Sequence, residues 1–468
     1  TEVIRCLAGA NGVQGRKTRV EYLNPKSLSP KELYGYITAA TREWRDGLLS
    51  DVMRSLGLIP NEDPKWIALD GDLDTLWIES MNSVMDMNKT LTLASNERIP
   101  LKPHMRMLFE MRDLAHASLA TVTRAGVLYI SDDRGHQWRA RLSQWIKGRG
   151  ENEQVKRVLS KFAEKYIPAT LIQIRKYLTH MVPISVMAMV NSTLNLMDCM
   201  LGDKWLHVGK TEAQAAKKAA KAARENAMDN EKEDGSAYTE EELIALENEA
   251  LDAVKLPASC QDGGLLERVF VFASVWGFGA AFETMNGIDY RTQFSEWWRE
   301  EYRDIKFPAR GLVFEFYLDE DTLEFEPWSN SPFFETIEFN SKTQNMFAVT
   351  VPTPETVSVN YWLNMLVDRK TPVMLVGIAG CGKTQLMKGL LGRQNEDERI
   401  SLTINMNFFT TTNLLQSGME TVLVKKTGTS FGPPGKADLI YFVDDLNLPE
   451  VDQYGKKSFI LDDIIFSF

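Results

Sequence analysis

The sequence predicts an α/β protein, parallel sheets with flanking helices, joined to a helical region. Three observations predict it. A complete glycine-rich phosphate loop, Gly377–Thr384, sits between an apolar run and a helical pattern. Short apolar strands alternate with helical stretches over residues 1–130. Residues from about Ser143 to Leu201 place apolar side chains at helical spacing. A length of 468 residues predicts two to four domains.

Composition narrows the class. The chain is 44% hydrophobic and 25% charged, as globular proteins are, and this excludes disordered and collagen-like chains. The net charge of −11 excludes bulk attraction to nucleic acid or anionic lipid. The greasiest stretch, Leu171–Met200, is interrupted by Arg175, Lys176, His180 and Pro183, so it reads as buried helices and not a membrane span. Four separated cysteines (Cys6, Cys199, Cys260, Cys381) suit a reducing compartment and form no zinc pattern. The chain opens on Thr1 without a signal peptide and reads as an excerpt.

In chain order, the expected strands of the first α/β layer are Thr18–Leu23, Lys65–Leu69, Leu91–Ala94 and Gly126–Ile130. The helical region follows. Thr211–Ala253 changes character, with Lys217, Lys218 and Lys221 among alanines and then acidic runs; it reads as an exposed or disordered insertion. Leu265–Phe282 resumes an apolar helix, in which Gly277, Gly279, Ala280 and Ala281 allow close packing. An aromatic helix around Phe294, Trp297 and Trp298 precedes a hairpin, Leu312–Tyr317 with Leu323–Trp328, turning at Asp319–Thr322. After Pro352 and Pro354 a second α/β unit begins, with Tyr361–Asp368 helical and Val373–Val376 a buried strand. The expected domains are therefore 1–140 (α/β), 141–300 (helical, with the insertion near 211–253), 301–355 (hairpin and linker) and 356–468 (α/β).

The phosphate loop is Gly377, Ile378, Ala379, Gly380, Cys381, Gly382, Lys383, Thr384. Its glycines let successive backbone N–H groups face a phosphate, and the following helix adds its positive end. Lys383 is placed to reach the β- and γ-phosphates, and the Thr384 hydroxyl to ligate Mg²⁺. The partner acidic strand is Leu439–Val443, ending in Asp444 for magnesium and Asp445 in the place of a water-activating carboxylate. Asp445 is one methylene shorter than the glutamate usual there. Gly432–Lys436 imitates a phosphate loop but lacks the Lys-Ser/Thr end, and reads as a rigid turn.

A second copy of this pattern is expected at the start of the chain. Asn407 follows Thr384 by 23 residues, and Asn24 follows Thr1 by 23. The carboxylates agree more loosely, at 60 residues for Asp444 and 69 for Asp70. Thr1 is thus expected to end another phosphate loop, with Asp70 its magnesium carboxylate. Gly71 stands where the catalytic carboxylate belongs, so this site is expected to hold nucleotide and turn it over slowly or never. Leu91–Ala94 is the expected third strand, with Asn96 toward the γ-phosphate. Arg124 is either an arginine finger toward a neighbouring module or a structural ion pair.

These residues resemble the motor region of dynein heavy chains. Leu33–Tyr36, Thr41–Leu48, Trp66–Asp72, Trp77–Asn82, Leu91–Pro100 and Thr121–Gly126 are similar to that family's second AAA+ module. Pro372–Thr384, Gly432–Gly435 and Tyr441–Gly455 look like its third. The resemblance covers all but roughly 205–262, and the paired aspartates with Phe294–Trp298 look axonemal, of the outer-arm beta type. It implies a six-module ring that binds ATP or ADP with Mg²⁺ and moves toward microtubule minus ends to drive ciliary or flagellar beating. The second module would bind nucleotide structurally, the third would regulate, and Arg124 would face the first module's site. Implied partners are the other modules, other heavy, intermediate and light chains, and, through regions outside this chain, microtubules; no nucleic acid or membrane is implied. The implied location is the cytoplasmic cytoskeleton and the axoneme. Lys456–Phe468 departs from the family pattern. Two other readings stay open: a nucleotide-locked scaffold without turnover, and a ring remodeller similar to midasin.

Overall fold

The computed structural model describes residues 1–73, 75–131, 135–149, 153–202, 258–334, 351–395, 397–428 and 430–450, with isolated positions between 218 and 242. The insertion expected at Thr211–Ala253 and the divergent tail Lys456–Phe468 lie almost wholly outside the described residues. The chain divides into two units, Thr1–Ile130 with Asn395–Phe468, and Ser131–Gln394.

In the first unit, helix α1 (Glu2–Val13) leads to a three-stranded parallel sheet of β1 (Arg19–Leu23), β4 (Lys65–Asp70) and β7 (Met105–Glu110), in the order β1-β4-β7. The alternating apolar residues of β4 put Ile67 and Leu69 into a core with Leu23, Met105 and Trp77. Helix α2 (Leu48–Leu58) closes that core with Leu49, Met53 and Leu56, one face at helical spacing. Two hairpins flank it: β2 (Gly35–Ile37) with β3 (Trp44–Asp46), and β5 (Thr90–Thr92) with β6 (Arg98–Pro100). Arg54 on α2 joins both, reaching Asp46 at 3.1 Å and Glu97 at 2.9 Å.

Two expected strands are corrected here. Leu91–Ala94 is not the third strand of the sheet, because Thr90–Thr92 pairs antiparallel with Arg98–Pro100; Met105–Glu110 takes that place. Gly126–Ile130 forms no strand. Leu128 and Tyr129 are 87% and 85% exposed, and no ladder partner lies beside them among the described residues. β-forming side chains hold a strand only when its backbone groups are paired.

The later part of this unit contributes β10 (Arg399–Asn405), parallel to β13 (Asp438–Asp444), with Asn405 opposite Asp444. Helix α10 (Thr412–Glu420), capped by the Thr411 hydroxyl, buries Leu415 against Met406. Strands β11 (Val424–Thr427) and β12 (Ser430–Gly432) form a hairpin. The turn after it carries Gly435 at φ +64, and Lys426 Nζ donates to the Gly435 carbonyl at 3.0 Å. The false phosphate loop is therefore a tied turn.

The second unit is helical: α3 (His136–Gly148), α4 (Glu153–Tyr177), α5 (Val186–Leu201), α6 (Leu265–Gly279) and α7 (Tyr290–Glu301). Helix α6 is buried nearly all round. A Cβ on Gly277 would stand 2.2 Å from Thr193 Oγ1, so α5 and α6 approach only because that residue is glycine. The expected hairpin is present as β8 (Phe316–Leu318) with β9 (Phe325–Pro327), and Asp319 Oδ1 accepts the turn amide of Asp321 at 2.8 Å. Helix α8 (Pro354–Asp368), capped by Thr353, buries Val357 and Trp362 in the same core. Helix α9 (Lys383–Leu391) follows the phosphate loop. The expected strand Val373–Val376 is not formed: Val373, Met374 and Val376 are exposed, and the run has no ladder among the described residues.

Candidate nucleotide-binding sites

The carboxyl ends of β4 and β7 meet at one point, because Asp70 and Glu110 are register partners. Ligands of open parallel sheets bind at this edge. Thr1, at the N-terminus of α1, places its hydroxyl 3.5 Å from Asp70 Oδ2 and 3.1 Å from Glu110 Oε2. The structure thus brings together Thr1 and Asp70, which the sequence spacing pairs, and adds Glu110. The signal for Glu110 is visible in hindsight: Met105–Glu110 is an apolar run ending in a carboxylate, as Lys65–Asp70 is. Asn96 instead sits at φ +64 on the turn between β5 and β6, its N–H on the Leu93 carbonyl at 3.0 Å. The carboxyl-end place expected for it is filled by Glu110. Asp72 turns away from Asp70, accepting the Arg112 amide at 3.2 Å.

Arg124 donates from Nε to Asp86 at 2.5 Å and from Nη1 to the Ala120 carbonyl at 2.7 Å. Of its two readings, the ion pair is the one present within the chain.

The phosphate loop lies in the second unit. Gly380 and Gly382 adopt φ +83 and +87, where side chains are strained, so the loop curls as the motif requires. Lys383 Nζ donates to the carbonyls of Gly377 at 2.9 Å and Ile378 at 2.8 Å, and stands 3.5 Å from Cys381 Sγ. The ammonium is tied to the loop's own carbonyls at the start of α9, the end of a helix that favours an anion.

Asp444 and Asp445 lie in the first unit, at the end of β13. Asp444 Oδ1 accepts the Asp445 amide at 3.0 Å, and Asp445 turns into the left-handed region at φ +56. The second carboxylate therefore leaves the strand direction at once.

The donor set at Thr1 suits magnesium. It pairs a threonine hydroxyl with the carboxylate oxygens of Asp70 and Glu110, and Mg²⁺ is characteristically held by one or two carboxylates with phosphate oxygens completing its shell. Among the described residues, no cluster of three or more His, Cys, Asp or Glu could hold a metal by itself. No helix among them is long and apolar enough to cross a membrane.

Comparison with known proteins decides the family. Residues 338–461 match the model of the P-loop containing dynein motor region, and residues 159–227 and 244–330 that of the dynein heavy chain AAA lid domain. The chain belongs to the dynein heavy-chain family. It is 40% identical over 450 residues to the dynein alpha chain of the flagellar outer arm of Chlamydomonas reinhardtii, covering 94% of this chain. It is 39% identical over 456 residues, 97% of this chain, both to dynein axonemal heavy chain 9 of Homo sapiens and to the ciliary dynein beta chain of Heliocidaris crassispina. The chain spans about 9% of the length of each of these relatives. Alpha and beta outer-arm chains are both among them, so this dynein segment is placed in the axonemal group. Its fold is the α/β fold of dynein P-loop ATPases, and nucleotide binding follows from the matched loop.

Proposed function

We propose that this dynein segment comprises most of the second and the beginning of the third AAA+ module of an axonemal motor ring. The observation that carries this reading is the meeting of Thr1 with Asp70 in one α/β layer, in a chain that also holds the complete loop Gly377–Thr384. Two nucleotide sites in series are what a ring of repeated modules requires.

Each site binds ATP or ADP with Mg²⁺, which neutralises phosphate charge. Thr1 and Asp70 hold the metal in the second module; in the third, the Thr384 hydroxyl that ends the phosphate loop is the metal ligand. Lys383 leaves its carbonyl partners for the β- and γ-phosphates, exchanging neutral acceptors for charged ones. The second module keeps its nucleotide as a packing element, since Gly71 offers no carboxylate to activate water. The third binds ATP and regulates the ring, with Asp445 its candidate for orienting water. Arg124 reaches toward the first module's nucleotide when the ring is assembled. The intact protein moves toward microtubule minus ends in the axoneme, with other dynein chains as partners.

A test is Asp445→Asn in the intact heavy chain, read by microtubule gliding and by ATP retention at the Gly377 loop. Slower gliding with ATP retained supports the reading; unchanged gliding and unchanged nucleotide contradicts it. The left-handed turn at Asp445 favours a second reading, a locked scaffold in which neither site turns over. The dynein matches weigh against a midasin-like remodeller.

A further inference from the structure

Three polar residues stand in a row across the carboxyl end of the parallel sheet: Asn24 after β1, Asp70 ending β4 and Glu110 ending β7. Leu23 is opposite Leu69, and Asp70 opposite Glu110, so Asn24 is next to Asp70. Thr1 engages Asp70 and Glu110. Asn24 is 8% exposed. Its Oδ1 accepts the Lys26 amide at 2.9 Å, which fixes the oxygen end of the side chain. Its Nδ2 is left buried with no acceptor. Buried polar groups are ordinarily hydrogen-bonded, and an unmet donor beside the carboxyl edge of a parallel sheet, where ligands bind, is accounted for by a ligand there.

The same side chain controls the neighbouring position. A Cβ on Gly71 would stand 3.0 Å from Asn24 Oδ1 and 3.3 Å from Pro25 Cδ, both closer than ordinary van der Waals contact. Position 71 follows Asp70 as position 445 follows Asp444, where the third module carries a carboxylate.

We propose that Asn24 is a ligand residue of the Thr1 site: its Nδ2–H donates to a terminal phosphate oxygen of a bound nucleoside triphosphate. With Pro25 it also crowds position 71, so that a side chain there must displace the Asn24 amide. The triphosphate is thereby gripped by an amide that cannot activate water. This inference rests on the reading that the Thr1 site holds nucleotide.

The test uses the intact heavy chain after turnover of Mg-ATP, read by high-resolution density at the Thr1 site and by thermal melting of the whole chain. Wild type is expected to hold triphosphate. Asn24→Ala removes the donor, and Asn24→Asp, of the same shape, replaces it with an acceptor. Each is expected to lower triphosphate affinity roughly tenfold or more, so that diphosphate or an empty site replaces it. Melting of the Asp variant close to wild type excludes misfolding as the cause. Gly71→Glu alone is expected to leave the triphosphate uncleaved. Equal triphosphate in wild type and both Asn24 variants overturns this proposal alone, as does cleavage in Gly71→Glu. An empty site in wild type overturns the nucleotide reading and this proposal with it.

Discussion

The Thr1 hydroxyl lies 3.5 Å from Asp70 Oδ2, across 69 residues of sequence. Neither residue alone marks a site. Together, at the carboxyl end of a parallel sheet and the start of a helix, they form the hydroxyl and carboxylate pair that a magnesium nucleotide needs. The contact brings together two residues that the sequence pairs only by their spacing.

Lys383 is expected to be dispensable for folding and essential for binding. Its two hydrogen bonds go to loop carbonyls that also face water, so Lys383→Ala leaves the melting temperature close to wild type. Losing two charge-assisted bonds to phosphate costs about 3 kcal/mol, roughly a hundredfold in ATP affinity. Nucleotide density at the Gly377 loop checks it; undiminished occupancy refutes it.

Glu267 is a buried carboxylate of the helical unit, 1% exposed, accepting from Lys165 Nζ at 2.8 Å, the Tyr166 hydroxyl at 2.7 Å and the Gly263 amide at 2.6 Å. Glu267→Ala strands the Tyr166 hydroxyl and the Gly263 amide, while Lys165 keeps Asp304 at 3.0 Å, and is expected to destabilise this unit by about 2–4 kcal/mol. Burial, then Glu267, pushes the Tyr166 hydroxyl far above its ordinary value. Denaturant unfolding of the heavy chain, followed by tryptophan fluorescence, measures the loss.

His180 stacks on Phe282 at 4.2 Å, and its Nε2 meets the Phe278 carbonyl at 2.9 Å. Burial lowers its pKa below 6.5, partly opposed by that carbonyl. The folded state therefore disfavours the imidazolium. Its contribution is present above pH 6.5 and is lost as pH falls through the lower folded value. His180→Gln is expected to flatten the decline in melting temperature of the helical unit below pH 6.5; an unchanged slope contradicts the assignment.

Gly277 sets the spacing of α5 and α6. Gly277→Ala drives a methyl group to 2.2 Å from Thr193 Oγ1 and is expected to cost about 1–3 kcal/mol. Adding Thr193→Ala removes the obstructing hydroxyl but keeps the Thr193 backbone atoms at 2.7 Å, so it recovers only part of that loss. Full additivity of the two substitutions in melting experiments contradicts direct contact.

Local patterns made most elements legible. The alternation in Lys65–Asp70, the apolar spacing of Val186–Leu201 and the Asp319 turn each carry their structure within a few residues. Errors arose where identity depends on a distant partner. Leu91–Ala94 has strand character, and nothing local distinguishes a hairpin arm from a sheet strand; Asn96 was consequently misplaced and Glu110 missed. Val373–Val376 and Gly126–Ile130 have the right side chains, but no adjacent strand satisfies their backbone groups among the described residues. The curl of the phosphate loop was legible because its glycine spacing marks the left-handed positions Gly380 and Gly382, while the strand expected before it is not formed.

Of the two proposed nucleotide sites, one is expected to be static and the other to cycle. High-resolution density for both pockets of the intact heavy chain after ATP turnover distinguishes them. ATP with magnesium is expected to persist beside Thr1 and Asp70, and ADP beside Lys383. Unhydrolysed ATP in both pockets, or an empty Gly377 loop in a folded ring, would contradict this expectation.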